Sequence, residues 1–463
     1  MTRIDRRAAL TGIAGGMLYA MSPGSARAAA EPEETFRAMM SAAGLPGAAA
    51  ALTVRGRAPL MLSFGAADLA FGVPVTPDTL FHAGSVGKHV TAAILLDLAE
   101  RGAIALSAPI GRYMRDLPAE WQDIEIEKLL THTSGIPDYQ GGIIWDRPLL
   151  RQRVIENEGV HRLVTPPGAA WRYCNLAYTL LGYLIEDVTG TSFAAVVAAL
   201  FGRAGLSGWR VDDAEAVIAL RASPYAAAPD GGWRHAVPMS SSISSVGAGG
   251  ILMSASQLPR WHDALWGGRL LSAQSIARTM KPFRLNDGSS CGYAMGWFTD
   301  RAPDGSPYVY HTGSVSGFRC YHFHSAADGT GMCLLTNVGT DRIGELGISV
   351  LEALVPGYTY RNLGVLTDEH SSLTRKTRAL LLGQRPPVTA DLASGLRLLF
   401  AERGDTALRV RDDPETVSSF DVIQEWTEDR LFYRRYRLST GAGDEFVRVA
   451  YDSARAIHTV NWL

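Results

Sequence analysis

The chain has 463 residues, 47% hydrophobic and 19% charged, with a formal net charge of −2. That length bounds it to one large domain or two to three smaller ones, with a core that needs no disulfide or metal staple. The apolar content excludes a wholly disordered chain. The near-neutral charge argues against a nucleic-acid binder, which carries a basic footprint. No internal stretch approaches the roughly 18 uncharged apolar residues of a membrane span. Positive charge is almost all arginine: Lys and Arg total 44, and the lysines are Lys88, Lys128, Lys281 and Lys376. Arg-rich codon use accounts for the bias, and it makes any motif containing lysine harder to meet by chance.

Residues 1–30 read as an export signal. Arg3, Arg6 and Arg7 form a basic front, Ala8 to Met21 is apolar and Gly-rich, and Ala26-Arg27-Ala28 and Ala28-Ala29-Ala30 are small-x-small cleavage candidates. The Arg6-Arg7 pair resembles a twin-arginine signal; an ordinary secretory signal is the other reading. The mature protein is therefore expected in a bacterial periplasm or outside the cell.

Glu31 to Ala43 predicts a helix ended by Gly44 and Pro46. Ala48–Val54 and Leu60–Gly65 predict a strand hairpin around Arg55-Gly56-Arg57. Ser85 to Gly102 is helical by period, with Val90, Ile94, Leu95 and Leu98 on one side. The stretch 105–250 mixes helical segments near Ile126–Leu130, Leu176–Thr189 and Phe193–Leu200 with Pro and Gly breaks. Gly247-Ala248-Gly249-Gly250 opens a further helix. Strands return at Gly292–Phe298, Tyr308–Thr312, Gly317–Phe323 and Gly331–Asn337, and Ile343–Leu354 closes as a helix. Strands and a helix at each end around a helical insertion predict an α+β body of two subdomains over 31–355. Residues 356–387 read as a linker, with Arg385-Pro386-Pro387 marking a boundary. Residues 388–463 read as a small α+β domain, with a helix at Asp391–Arg403 and strands such as Leu431–Leu438 and Phe446–Tyr451.

Export permits disulfides, but Cys174, Cys291, Cys320 and Cys333 are too few for a disulfide framework in so long a chain. Cys320 and Cys333 flank a turn and offer a cross-strand pair as an alternative to buried free thiols. His322 and His324 share a strand face, yet no further ligands match them, so neither a metal nor a cofactor is implied.

Gly84-Ser85-Val86-Gly87-Lys88 opens the long helix, and no other Ser-x-x-Lys occurs. Ser and Lys three apart share a helix face. A serine hydroxyl needs an adjacent base to act as a nucleophile, and a desolvated lysine has the lowered pKa to be one. Backbone N–H groups at the helix start can hold an oxyanion. Tyr173-Cys174-Asn175 can turn a phenol and an amide into one cleft, where Tyr relays a proton and Asn holds a substrate amide. His311-Thr312-Gly313-Ser314 ends a strand and offers the Ser314 N–H as a second oxyanion donor.

In order and spacing these motifs resemble the penicillin-recognising serine hydrolases: class C β-lactamases with their D,D-peptidase, D-aminopeptidase and esterase relatives. Leu129-Leu130-Thr131-His132-Thr133-Ser134-Gly135-Ile136, Gly247-Ala248-Gly249-Gly250-Ile251-Leu252-Met253-Ser254 and Tyr293-Ala294-Met295-Gly296-Trp297 resemble further segments of that family, and the likeness covers about 33–354. The resemblance implies an antiparallel sheet flanked by helices plus a helical subdomain. It implies Ser85 as the acylated nucleophile, Lys88 as its base shared with Tyr173, and Asn175 as the substrate holder. Ser85 and Ser314 would form the oxyanion hole beside His311 and Gly313. His132 and Ser134 read as structural.

One departure narrows the activity. Where strong β-lactamases and D,D-peptidases have lysine, this sequence has His311, largely neutral near pH 7; Arg319 is a candidate to replace the cation. The expected activity is hydrolysis of D-amino-acid peptides, amides or small esters through an acyl-serine. The alternatives are a β-lactamase or D,D-carboxypeptidase, and a penicillin or cell-wall-fragment binder that does not turn over. The expected partner is a small-molecule or peptide substrate, with no nucleic acid and no stable membrane span after signal removal; the oligomeric state is left open.

Overall fold

The computed structural model describes residues 23–138, 151, 161–213, 216–236, 246–340, 342–383, 391–393, 396–397, 416–441 and 443–462. The basic front and apolar run of the export segment lie outside the described residues. Helix α1 (Pro23–Ala42) begins within that segment and runs on through most of the expected Glu31–Ala43 helix. Strands β1 (Gly47–Thr53) and β2 (Leu60–Asp68) form the expected hairpin, with Gly56 at φ +76° in its turn, followed by the short β3 (Val73–Pro74) and β4 (Phe81–His82).

Helices α2 (Lys88–Glu100), α3 (Ala119–Gln122), α4 (Ile126–Leu130), α5 (Asn175–Thr189) and α6 (Phe193–Ala204) fill most of the insertion. Gly190 at φ +65° ends α5, a left-handed cap that glycine adopts freely. Short strands β5 (Arg210–Val211), β6 (Tyr225–Ala227), β7 (Trp233–His235) and β8 (Ile251–Met253) precede helices α7 (Leu258–Trp266) and α8 (Ala273–Met280). Among the described residues no single helix is long and apolar enough to cross a membrane.

The chain then returns to the main sheet with β9 (Phe298–Arg301), β10 (Pro307–Val315), β11 (Phe318–Ser325) and β12 (Gly331–Thr336), and helix α9 (Ile343–Leu354) follows. The sheet is antiparallel in the order β3-β2-β1-β12-β11-β10-β9, so both ends of the α+β body build one sheet. Period-two alternation gives it two buried faces. Ala48, Ala50 and Leu52 pack with Phe36 and Met40 of α1 and Val350 and Leu351 of α9. Ala49 and Ala51 face the larger core built on Val90 and Ile94 of α2, Leu180 and Leu184 of α5, and Trp261 of α7. This is the expected α+β body.

Three local expectations change, the first being that the run opened by Gly247 forms strand β8 before helix α7 begins at Leu258. The Gly292–Phe298 segment is mostly turn, with Gly292 at φ +70° and Gly296 at φ +83°, and the strand starts only at Phe298. For Cys320 and Cys333 the buried free-thiol reading holds, with the Sγ atoms 3.7 Å apart. The segment read as a linker is packed structure. Its helix α10 (Ser371–Leu381) puts Leu373, Leu380 and Leu381 into one core with Val422, Tyr436 and Val449. That core belongs to a second antiparallel sheet: β13 (Val417–Glu428), β14 (Leu431–Thr440), β15 (Gly443–Tyr451) and β16 (Ile457–Trp462), in chain order. The Arg385-Pro386-Pro387 boundary and most of the Asp391–Arg403 helix lie outside the described residues. The second sheet is bolted to the edge of the first. Asp300 on β9 accepts from Arg435 and from Arg448, each at 2.7 Å, and all three side chains are buried.

Candidate active site

A tight turn, Gly84–Gly87, leads into α2 and decides where Ser85 and Lys88 point. Gly84 holds φ +55°, and a Cβ there would lie 2.7 Å from Ser314 N; only glycine permits that approach. A Cβ on Gly313 of β10 would stand 1.8 Å from the Ala83 carbonyl oxygen. These two glycines bring the Ser314 backbone against the Ser85 turn. Ser85 is half-buried and Ser314 exposed.

Lys88 is fully buried, and its three ammonium donors are all engaged. Nζ donates to Ser85 Oγ at 3.1 Å, Asn175 Oδ1 at 2.8 Å and the Ala248 carbonyl at 2.7 Å. Burial draws its pKa down to about 7, against the opposing pull of the Asp138 carboxylate. The lysine therefore exchanges its proton near neutral pH, as a general base must. The Ala248 carbonyl is held in place by Gly247 at φ +69°, where a Cβ would meet the Tyr178 carbonyl oxygen at 2.0 Å.

The Ser85 hydroxyl opposes the burial that raises the Tyr173 phenol, and Lys88 Nζ lies 4.9 Å from the Tyr173 ring centroid. Burial raises the phenol well above its ordinary value, so it stays neutral and can pass a proton without being a standing base. The His132 ring lies 4.3 Å from that of Tyr173 and 4.7 Å from that of Tyr293. His132 Nδ1 accepts the Cys174 N–H at 3.1 Å. Burial, then the nearby Lys88, hold this histidine well below its usual pKa, so it acts as a neutral plate behind Tyr173.

Asn175 is engaged at both ends. Its Oδ1 accepts from Lys88, and its Nδ2 donates to Asp138 Oδ2 at 3.1 Å. Asp138 Oδ1 also accepts the backbone N–H groups of Asn175 (2.8 Å) and Leu176 (3.1 Å), capping α5. The expectation that Asn175 holds a substrate amide meets a structure in which its amide orients Lys88.

His311 is buried on β10. Nδ1 donates to the Thr312 carbonyl at 2.6 Å, which leaves Nε2 to accept the Tyr293 hydroxyl at 3.1 Å. Burial first, then Lys88, pull its pKa down to about 3. It is neutral at pH 7.

Residues 33–347 match the family described as beta-lactamase. The chain belongs to the beta-lactamase family of serine hydrolases. It is 32% identical over 199 residues to esterase EstB of Burkholderia gladioli, covering 39% of this chain and 50% of that one. It is 26% identical over 299 residues to a D-aminopeptidase of Brucella anthropi, covering 61% and 54%. The chain thus spans about half the length of these relatives. A penicillin binding protein from Bacillus halodurans superposes with TM-score 0.60 at 24% identity, over 69% of this chain and 98% of that one. At that identity the likeness is one of fold.

In this beta-lactamase-family chain, Ser85, Lys88, Tyr173, Asn175, Gly313 and Ser314 meet at the start of α2, and His311 borders them through Tyr293. Arg319 does not join them as a cation for substrate. Its guanidinium donates to the carbonyls of Val315, Phe318 and Thr340, bracing the β10–β11 turn. The sequence reading missed Asp138 and the Ala248 carbonyl. An acid following Ile136-Pro137 carries no local sign of capping a helix that begins at residue 175, and a backbone acceptor leaves no mark in side-chain chemistry.

Proposed function

We propose that this protein is an exported serine hydrolase that cleaves amide or ester bonds through an acyl-serine intermediate, acting on D-amino-acid-containing peptides or amides or on small esters. One observation carries the reading: a fully buried lysine with its pKa near 7, hydrogen-bonded to a half-buried serine hydroxyl at a helix start. Neutral Lys88 takes the Ser85 Oγ proton as Oγ attacks the carbonyl carbon. The Ser85 and Ser314 N–H groups receive the oxyanion. The tetrahedral intermediate collapses, and the leaving amine or alkoxide takes its proton from Lys88 by way of the Tyr173 hydroxyl. Water then attacks the acyl carbon with Lys88 again as base, releasing the acid and restoring Ser85.

Neutral His311 favours this substrate class over penicillin-like acids, because no cation stands on β10 to hold a substrate carboxylate. The names of the relatives, an esterase and a D-aminopeptidase, support the same choice. A fluorophosphonate probe is expected to add one adduct at Ser85, and Ser85→Ala is expected to lose both labelling and turnover. Substrate class is read from a panel of D- and L-amino-acid amides, short-chain p-nitrophenyl esters and a chromogenic cephalosporin. Turnover surviving in Ser85→Ala overturns the mechanism, and stoichiometric labelling without product release converts the protein to a non-turnover binder. Export through the twin-arginine route predicts that replacing Arg6 and Arg7 with lysine keeps the protein out of the periplasm.

A further inference from the structure

A cavity of about 320 Å³ lies where the main sheet, helix α9 and the second sheet meet. Trp171, Phe298, Tyr310, Tyr360 and Phe446 put aromatic rings into its walls. It exceeds the roughly 150 Å³ that hold a benzene ring in an apolar protein cavity. Its lining joins residues of the catalytic body to Phe446 of β15 and Val460 of β16, so the second sheet completes a wall that the first lacks.

Two features tie the cavity to the active site. Thr312 of β10 lines it, and Ser314, the oxyanion donor, lies two residues further along the strand, about 7 Å away. β9 pairs with β10 only as far as Phe298 opposite Tyr310, so among the described residues no strand covers the β10 edge from His311 to Val315. A substrate on that edge can turn round it into the cavity. Trp171 supplies the shared wall: it lines the cavity, and its ring lies 6.5 Å from Tyr173 and 6.1 Å from Tyr293. Its Nε1–H is buried without an acceptor among the described residues.

We propose that this cavity is an aryl-binding subsite that receives an aromatic group of the substrate lying several bonds beyond the reacting carbonyl. The inference rests on the acyl-serine reading above. Glu345, Arg361 and Asp444 also line the cavity, but rings stack edge-to-face or offset on other rings, so its aromatic walls favour a flat aryl group over a branched aliphatic one. The second sheet then acts in specificity as well as in stability.

The test compares 4-nitrophenyl hexanoate with 4-nitrophenyl 6-phenylhexanoate. Ile348→Trp and Ser349→Phe fill the cavity from α9 and touch none of the catalytic groups. Each is expected to lower kcat/KM for the phenyl ester at least tenfold and to leave the plain ester within twofold. Equal effects on the two esters, or none, overturn the subsite. Calorimetric binding of 3-phenylpropanamide to Ser85→Ala protein reads the cavity without turnover. Binding that is lost in the filled variants supports the proposal, and absence of binding overturns it. Failure of the wild type to hydrolyse either ester counts against the acyl-serine reading alone.

Discussion

Lys88 owes its chemistry to its surroundings more than to its identity. Burial lowers its pKa to about 7, and Asp138 works in the opposite direction. The group must be neutral to accept a proton, so activity is expected to rise as pH increases through about 7. Asp138→Asn removes the nearby negative charge, so the acid limb of the kcat/KM profile is expected to move to lower pH. The same change weakens the cap on α5 and the anchor on Asn175, at a cost of about 1 kcal/mol in stability and a fall in kcat of at least tenfold. Urea unfolding and a pH–rate profile read these effects separately. An unshifted acid limb would remove Asp138 from the electrostatics of the base. Arginine cannot stand in for Lys88, since its guanidinium keeps its proton in proteins.

At the scale of elements, the site is a meeting of the α2 turn with strand β10. Gly313→Ala places a methyl group 1.8 Å from the Ala83 carbonyl oxygen, so strand or turn must move. A displacement of an ångström at a reacting centre costs about 100-fold in rate, and overpacking costs roughly 1–3 kcal/mol. Gly313→Ala is therefore expected to lower kcat/KM by at least 100-fold with a smaller loss of melting temperature. Gly202→Ala in α6, with nothing within 4 Å of the added Cβ, is the matched control. Wild-type activity in Gly313→Ala would refute the close approach. The elements themselves were largely legible. The hairpin, α2, β10 to β12 and α9 all follow the spacing of apolar residues. The Tyr293–Trp297 segment misled because its apolar run looks like a strand, whereas Gly296 turns it: a Cβ there would lie 2.7 Å from His89 Cα.

The whole molecule carries two features that set its stability. Asp300 is buried between Arg435 and Arg448 at the junction of the two sheets. Asp300→Ala would leave two buried cations without their counterion, a change that costs about 3–5 kcal/mol. A marked drop in melting temperature is expected, and an unchanged one would show that the junction does not bear on stability. The second feature is seven buried histidines: His82, His89, His132, His262, His311, His322 and His324. Burial lowers the pKa of every one, His82 to about 4 and His89, His311 and His324 to about 3. In the unfolded chain each binds a proton near pH 6.5. The unfolded state therefore gains protons first as pH falls, and stability is lost from about pH 6.5 down towards the folded values. The loss is about 1 kcal/mol per histidine per pH unit. Melting temperatures at pH 7.5 and pH 5 test this, and equal values would refute it.

The sequence by itself placed the candidate catalytic pair. Ser85 and Lys88 are three apart at a helix start, and helical geometry alone puts them on one face. Helical period put Val90, Ile94 and Leu95 on the buried side of α2, and the order of motifs pointed to the family. Only the tertiary structure decided how that pair is tuned. Asp138 lies 37 residues before Asn175, and Ala248 lies 160 residues after Lys88. Arg319 turned inward to brace a turn, and Leu373, Leu380 and Leu381 of the stretch read as a linker packed into the core under the second sheet. A pattern of residue types records which face a side chain takes on its own element. Burial, and the carbonyl or carboxylate that meets the side chain there, arise from contacts between distant segments, which local spacing does not encode.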